Sequence, residues 1–151
     1  MTPNSTQAAM ERSIRGFVDR LNNEAPGSMC AMLAPEYVSC DPETKQAVIA
    51  YPIREWMRNP GGVMHGGAIA AAMDTTMGIL VYYYDGEKMP PTINMQSNFQ
   101  RPVPLGATLY VRAHMTAVGR TMCFASAEAW VDNDPSRLLV TATGVYHVPQ
   151  N

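Results

Sequence analysis

The chain has 151 residues and a formal net charge of −2, with 46% hydrophobic and 16% charged residues. That length suits one domain with its own core, expected over residues 1–151 as an N-terminal helical segment (1–35) and a core (36–148). The weak, dispersed charge excludes a basic platform for nucleic acid, although a small anionic ligand needs only a few local cations.

Cys30, Cys40 and Cys123 are odd in number and lack CxxC spacing. Free thiols in a reducing compartment fit them better than a disulfide framework or a zinc site, and no metal or cofactor is expected. The N-terminus is polar, without the apolar run of a signal peptide, so a cytoplasmic protein is expected. Residues 67–84 approach membrane-spanning length but contain Asp74, Thr75 and Thr76. A central Asp alone costs about 2.5–3.5 kcal/mol on insertion, so a buried core helix is the better reading and no membrane contact is expected.

In chain order, residues 5–22 read as an amphipathic helix with Met10, Ile14, Phe17, Val18 and Leu21 on one face, closed by Pro26-Gly27. A short apolar piece, Met29 to Leu33, leads to Pro35. Residues 36–53 read as a hairpin turning at Asp41-Pro42, and Arg54–Asn59 as a short helical turn or loop. A helix is expected from about Ala68 to Tyr84, with alanines small enough for a sheet to close around it. It ends at Asp85-Gly86. After Pro90-Pro91 the period changes to two, predicting strands over 92–100, 107–118, 121–131 and 138–148. The separators are short, so consecutive strands are expected to pair antiparallel. The class is α+β, an antiparallel sheet with helices on one face.

Asp74 carries the only formal charge between Arg58 and Asp85. A carboxylate in surroundings that apolar is costly unless paired, hydrated or used, which makes Asp74 the first functional candidate. His65-Gly66-Gly67 lies just ahead of the helix, where free backbone N–H groups and the positive end of the dipole favour developing negative charge. Asn59 offers an amide donor and Thr92 a hydroxyl. Such a set suits hydrolysis of an activated carbonyl. Each piece also has an ordinary role: Gly-Gly as a turn, His65 as a structural side chain, Asp74 as a satisfied buried acid, Thr92 as a strand residue.

Together, Asn59, the HGG at 65–67, Asp74 nine residues after His65, Thr92, Arg101-Pro102, Leu105-Gly106 and Gly119-Arg120 resemble the PaaI-like acyl-CoA thioesterases of the hotdog fold. The resemblance runs over roughly residues 45–148. It implies a long central helix wrapped by a curved antiparallel sheet, in dimers that commonly pair into tetramers, with active sites at the dimer interface. It further implies that the Gly66 N–H, helped by Asn59, polarises the thioester carbonyl. Asp74 would act as general base or nucleophile, His65 would support the Asn59 side, and Thr92 would come from the partner subunit to orient water. The substrate would be an acyl-CoA, with CoA as part of the substrate and no separate cofactor. Gly67 belongs to the same binding turn. Arg101, Arg112 and Arg120 are candidates for the CoA phosphates. Met73, Met77, Tyr82 and Phe99 are candidates for the acyl wall, with core packing the alternative for each. The glycine pair at 61–62 departs from the family's loop. Two other readings on this fold are a non-catalytic acyl-CoA-binding protein and a hydratase of enoyl or hydroxyacyl thioesters.

Overall fold

The amphipathic stripe near the N-terminus forms α1 (Gln7–Asn23), whose buried residues are Met10, Ile14, Phe17 and Val18. The structure, a computed structural model, describes residues 6–150, so the expected helix start at Ser5 lies outside the described residues. Thr6 caps α1 by accepting the Ala9 N–H, satisfying one of the free donors of the first turn. The apolar piece after Pro26-Gly27 is a short helix, α2 (Met29–Leu33), capped by Ser28 and closed by Ala34 in the left-handed region. Strands β1 (Glu36–Asp41) and β2 (Gln46–Pro52) form the expected hairpin. Its turn is held by Asp41, which accepts from the Glu43 N–H and the Thr44 hydroxyl. A 3-10 turn follows at Glu55–Met57.

The long helix α3 (Gly66–Tyr84) begins two residues earlier than expected, because His65 serves as its N-cap. Four further strands complete the sheet: β3 (Thr92–Phe99), β4 (Thr108–Val118), β5 (Met122–Val131) and β6 (Val140–His147). The order is β1-β2-β4-β5-β6-β3, antiparallel throughout, and α3 packs across it from β2 to β3.

Two expectations need correction. β3 does not pair with β4; it pairs with β6 at the sheet edge. Pro102 and Pro104 cannot donate hydrogen bonds, and their segment crosses past the start of α3. There Val103 accepts from the Met64 N–H at 2.9 Å and Ala107 from the Ile53 N–H at 3.0 Å. That crossing delivers β4 to β2. Nor do the alanines of α3 meet the sheet as a group. The buried side chains of α3 are mostly large, Ile69, Met73, Met77 and Leu80 among them, and Ala72 is the one buried alanine. The small inward residues are on β5, where Ala125, Ala127 and Ala129 are buried. Gly67, Ala70, Ala71, Asp74 and Gly78 lie on a face of α3 that stays partly or fully exposed.

Asp85 caps the C-terminal end of α3 and receives the Lys88 N–H on Oδ1, while its Oδ2 is buried without a hydrogen-bond partner. Burial pushes its carboxyl up to about 6, against the opposing Lys88 N–H and charge. The folded protein therefore holds a proton here that the unfolded chain releases from pH ~4 upward, so stability falls as pH rises toward 6. Asp85→Asn should raise the melting temperature at pH 8, with the gain shrinking as pH falls through 6. A thermal-shift series across pH 4–8 checks this.

Candidate active site

The turn before α3 is set by backbone bonds on both sides. The Asn59 N–H bonds the Val63 carbonyl at 2.8 Å, and the His65 N–H bonds the Met57 carbonyl at 2.7 Å. Gly62 takes a φ of +82° in this turn, a conformation glycine adopts without strain, which accounts for a glycine at this position of the family's departure. The Asn59 side chain accepts the Val63 N–H on Oδ1 at 3.2 Å. Its Nδ2 has no partner among the described residues and remains a donor. His65 accepts the Gly67 N–H on Nδ1 at 2.8 Å, so the ring proton of neutral His65 resides on Nε2. The Gly67 N–H is thereby consumed. The Gly66 N–H is left as the first-turn donor without a partner, and a Cβ on Gly66 would lie 3.6 Å from the Phe99 ring.

Two turns along α3, Asp74 is half-buried, not enclosed as its apolar neighbours in sequence suggested. Its Oδ1 accepts the Thr92 hydroxyl at 2.9 Å and the Tyr146 phenol at 2.8 Å. Tyr146 also reaches the Asp74 carbonyl at 3.3 Å. Among the described residues nothing bonds Oδ2. Thr92 thus belongs to the same chain as Asp74 and fixes its carboxylate, which corrects the expectation that this hydroxyl arrives from a partner. The reason is topological: β3 is the edge strand beside α3, and its first residue lies against the second turn of that helix. Tyr146 was not anticipated. Its signal was an inward tyrosine on β6, since a buried phenol needs a hydrogen-bond partner. Burial, with the Asp74 charge adding to it, pushes the phenol well above its usual value, so it acts as a donor.

The other expected residues divide. Gly67 lines a mostly apolar cavity of about 210 Å3 with Met29, Leu33, Trp56, Met57 and Ala68, which Arg58 and His65 also line. Phe99 and Arg101 join Asn59 and Gly66 around a second cavity of about 270 Å3. Met73 and Met77 are fully buried, and Tyr82 is buried and stacked on Phe17 at 3.9 Å; all three are core residues that the apolar helix pattern could not separate from pocket walls. Arg120 lies in the β4–β5 turn with its carbonyl bonded by Gln150, outside both cavities. Arg112 lies on the opposite face of the sheet, paired with Glu128 and set over the Trp130 ring. That face holds a larger cavity, about 360 Å3. Its cation is already neutralised and it holds neither Gly66 nor Asp74, so size does not make it the site.

Within one chain the two groups stand well apart. Gly66 and Asp74 are eight residues apart on a continuous helix, about 12 Å of rise. An oxyanion donor and a carboxylate acting through water must each lie about 3 Å from the groups they serve. No group of three or more His, Cys, Asp or Glu among the described residues could hold a metal.

A helix wrapped by a six-stranded antiparallel sheet, with a helix-start N–H and a hydroxyl-held carboxylate, defines the hotdog thioesterase class. The thioesterase superfamily model matches residues 61–137; the chain belongs to that superfamily and is a thioester hydrolase. A Pseudomonas aeruginosa protein named as a candidate esterase is 29% identical over 119 residues, covering 78% of this chain and 86% of that one. Acyl-coenzyme A thioesterase THEM4 of Xenopus laevis is 29% identical over 91 residues, covering 60% of this chain and 40% of its own. The solved E. coli PaaI protein from the phenylacetic acid degradation operon aligns with a TM-score of 0.77 at 17% identity over 96% of each chain. Zebra fish thioesterase superfamily member 2 aligns with a TM-score of 0.75 at 20% identity, covering 95% of this chain and 99% of that one. Those two structural likenesses concern the fold. No described helix is long and apolar enough to cross a membrane.

If Met73 is core and not pocket wall, Met73→Leu should cost less than about 1.5 kcal/mol. It should also leave the relative rates on thioesters of different acyl groups unchanged. Denaturant melts and a rate panel on the variant check both.

Proposed function

We propose that the protein is an acyl-CoA thioesterase acting on small or medium acyl groups, with each active site shared between two copies of the chain. The observation that carries this reading is the half-satisfied Asp74 carboxylate, with Oδ1 held by two hydroxyls and Oδ2 free, on the same helix as an unpartnered Gly66 N–H. Their separation within one helix, about 12 Å of rise, favours completion of each site by a second copy. A two-fold axis at Ala70, relating two antiparallel α3 helices, sets residue 66 of one against residue 74 of the other. Gly67, Ala70 and Ala71 are small enough for close packing, at the 8–10 Å interaxial distance typical of helices, roughly. The free edge of β3 can extend the sheet into the same partner, and its Ile93 and Phe99 are 54% and 53% exposed, apolar surface that such a contact would cover.

In that assembly the thioester carbonyl oxygen takes the Gly66 N–H, with the Asn59 amide beside it, where the helix dipole stabilises the developing charge. Asp74 of the other copy removes a proton from water as it attacks the carbonyl carbon, or attacks the carbon directly to give an anhydride that water then opens. In either route the C–S bond breaks, the thiolate leaves and is protonated, and the free acid remains. The apolar cavity beside Gly67 takes the acyl group, and its volume of about 210 Å3 sets the size class. The cavity beside Gly66 takes the thiol arm, with Arg101 at its wall.

Hydrolysis of an acyl-CoA panel, followed through released thiol, tests the reading. Wild type should turn over, and Asp74→Asn should lose about 10²–10⁴-fold in kcat. An active wild type with the variant within a few-fold would remove Asp74 from the chemistry. Tight binding without turnover would favour the non-catalytic alternative.

A further inference from the structure

Tyr146 is 1% exposed, too enclosed to meet a substrate, yet its hydroxyl lies 2.8 Å from Asp74 Oδ1. Its ring reaches that position by lying back over Gly144, two residues earlier on the same face of β6. A Cβ at Gly144 would fall 2.7 Å from the ring carbon Cε2 and 3.1 Å from the phenol oxygen. On the helix side the ring passes Gly78, where a Cβ would stand 4.0 Å from Cε1. The two glycines therefore bound the slot in which the ring lies. Gly144 faces Ala125 on β5 and Met95 on β3 and has a negative φ, so no turn or unusual backbone demands a glycine there. The space for the Tyr146 ring is the demand that the structure does show.

We infer that Tyr146, seated over Gly144, is a positioning residue that locks Asp74 so that Oδ2 is the oxygen that reacts. The inference rests on the thioesterase reading above. Oδ1 already accepts two hydroxyl hydrogens, which draw its charge and fix the plane of the carboxylate. Oδ2 keeps its lone pairs, with no hydrogen-bond partner among the described residues. Thr92 supplies one of the two donors from the edge strand, where β3 shifts register between Thr92 and Asn94. Tyr146 supplies the other from a central position and also holds the Asp74 carbonyl, tying the side chain to the helix turn that carries it. Losing this phenol leaves a carboxylate that can rotate and that is a poorer anion.

The test compares wild type, Tyr146→Phe, Gly144→Ala and the double variant on one acyl-CoA, with kcat and KM measured across pH. Phe keeps the ring, so the melting temperature should change little. kcat should fall about 10-fold with KM within about two-fold, and the acidic limb of the pH–rate profile should move up by about half to one unit, because a hydrogen bond to the charged form is gone. Gly144→Ala should displace the limb in the same direction, and the double variant no further than Tyr146→Phe alone, since both act through one contact. If Gly144→Ala does not fold, Tyr146→Phe decides by itself. A Tyr146→Phe enzyme with wild-type kcat and an unmoved pH profile overturns the inference. An inert wild type overturns the thioesterase reading instead, which keeps the two failures distinct.

Discussion

The rigidity of α3 is the constraint on which the rest depends. Gly66 and Asp74 are on one uninterrupted helix, about 12 Å apart along its axis, and no side-chain rotation closes that gap. The sheet fixes the helix by gripping its large side chains, Ile69, Met73, Met77 and Leu80. Its small face stays partly exposed, and that is the face carrying Asp74. The crossing segment through Pro102 and Pro104 leaves β3 as an edge, so an open helix face and an open strand edge lie side by side. On the proposed reading both are completed by a second copy, whose Gly66 end meets the Asp74 of the first.

Within one chain the carboxylate is prepared by packing more than by charge. No ion pair reaches Asp74 among the described residues; two hydroxyls do. A hydrogen bond to a charged group contributes about 1.5–3 kcal/mol, which offsets partial burial without neutralising the anion. The donor side is prepared differently. His65 accepts the Gly67 N–H and so closes off the competing donor of the first turn, leaving Gly66 available. This gives His65 a structural part at the site.

Much of this was legible in the sequence. The periods of 3.6 and 2 placed the two long helices and the later strands, and the isolation of Asp74 together with His65-Gly66-Gly67 marked the region that the structure presents as its candidate site. What periodicity could not give was strand order, because pairing of β3 with β6 depends on where the Pro102–Pro104 segment crosses. Nor could it tell pocket from core along an apolar helix, so Met73 and Met77 looked as suitable as Phe99 for lining a site. Tyr146 escaped notice because its role depends on an absent side chain at Gly144 and on register across β6. The apolar neighbours of Asp74 also suggested more burial than occurs, since the surrounding alanines are small and leave the carboxylate half-exposed.

Subunit complementation tests the shared site most directly. Asp74→Asn removes one half, and Gly66→Pro removes the other with little disturbance. Proline suits the first position of a helix, and His65 already has the extended backbone that a following proline requires. Each variant should be inactive alone on acyl-CoA. Co-expressed and purified as the mixed dimer, the two should recover up to about half of wild-type activity per dimer, because one of the two sites then holds an intact Asp74 and an intact Gly66. A mixed dimer as inactive as its parents, with both parents folded, would contradict the account.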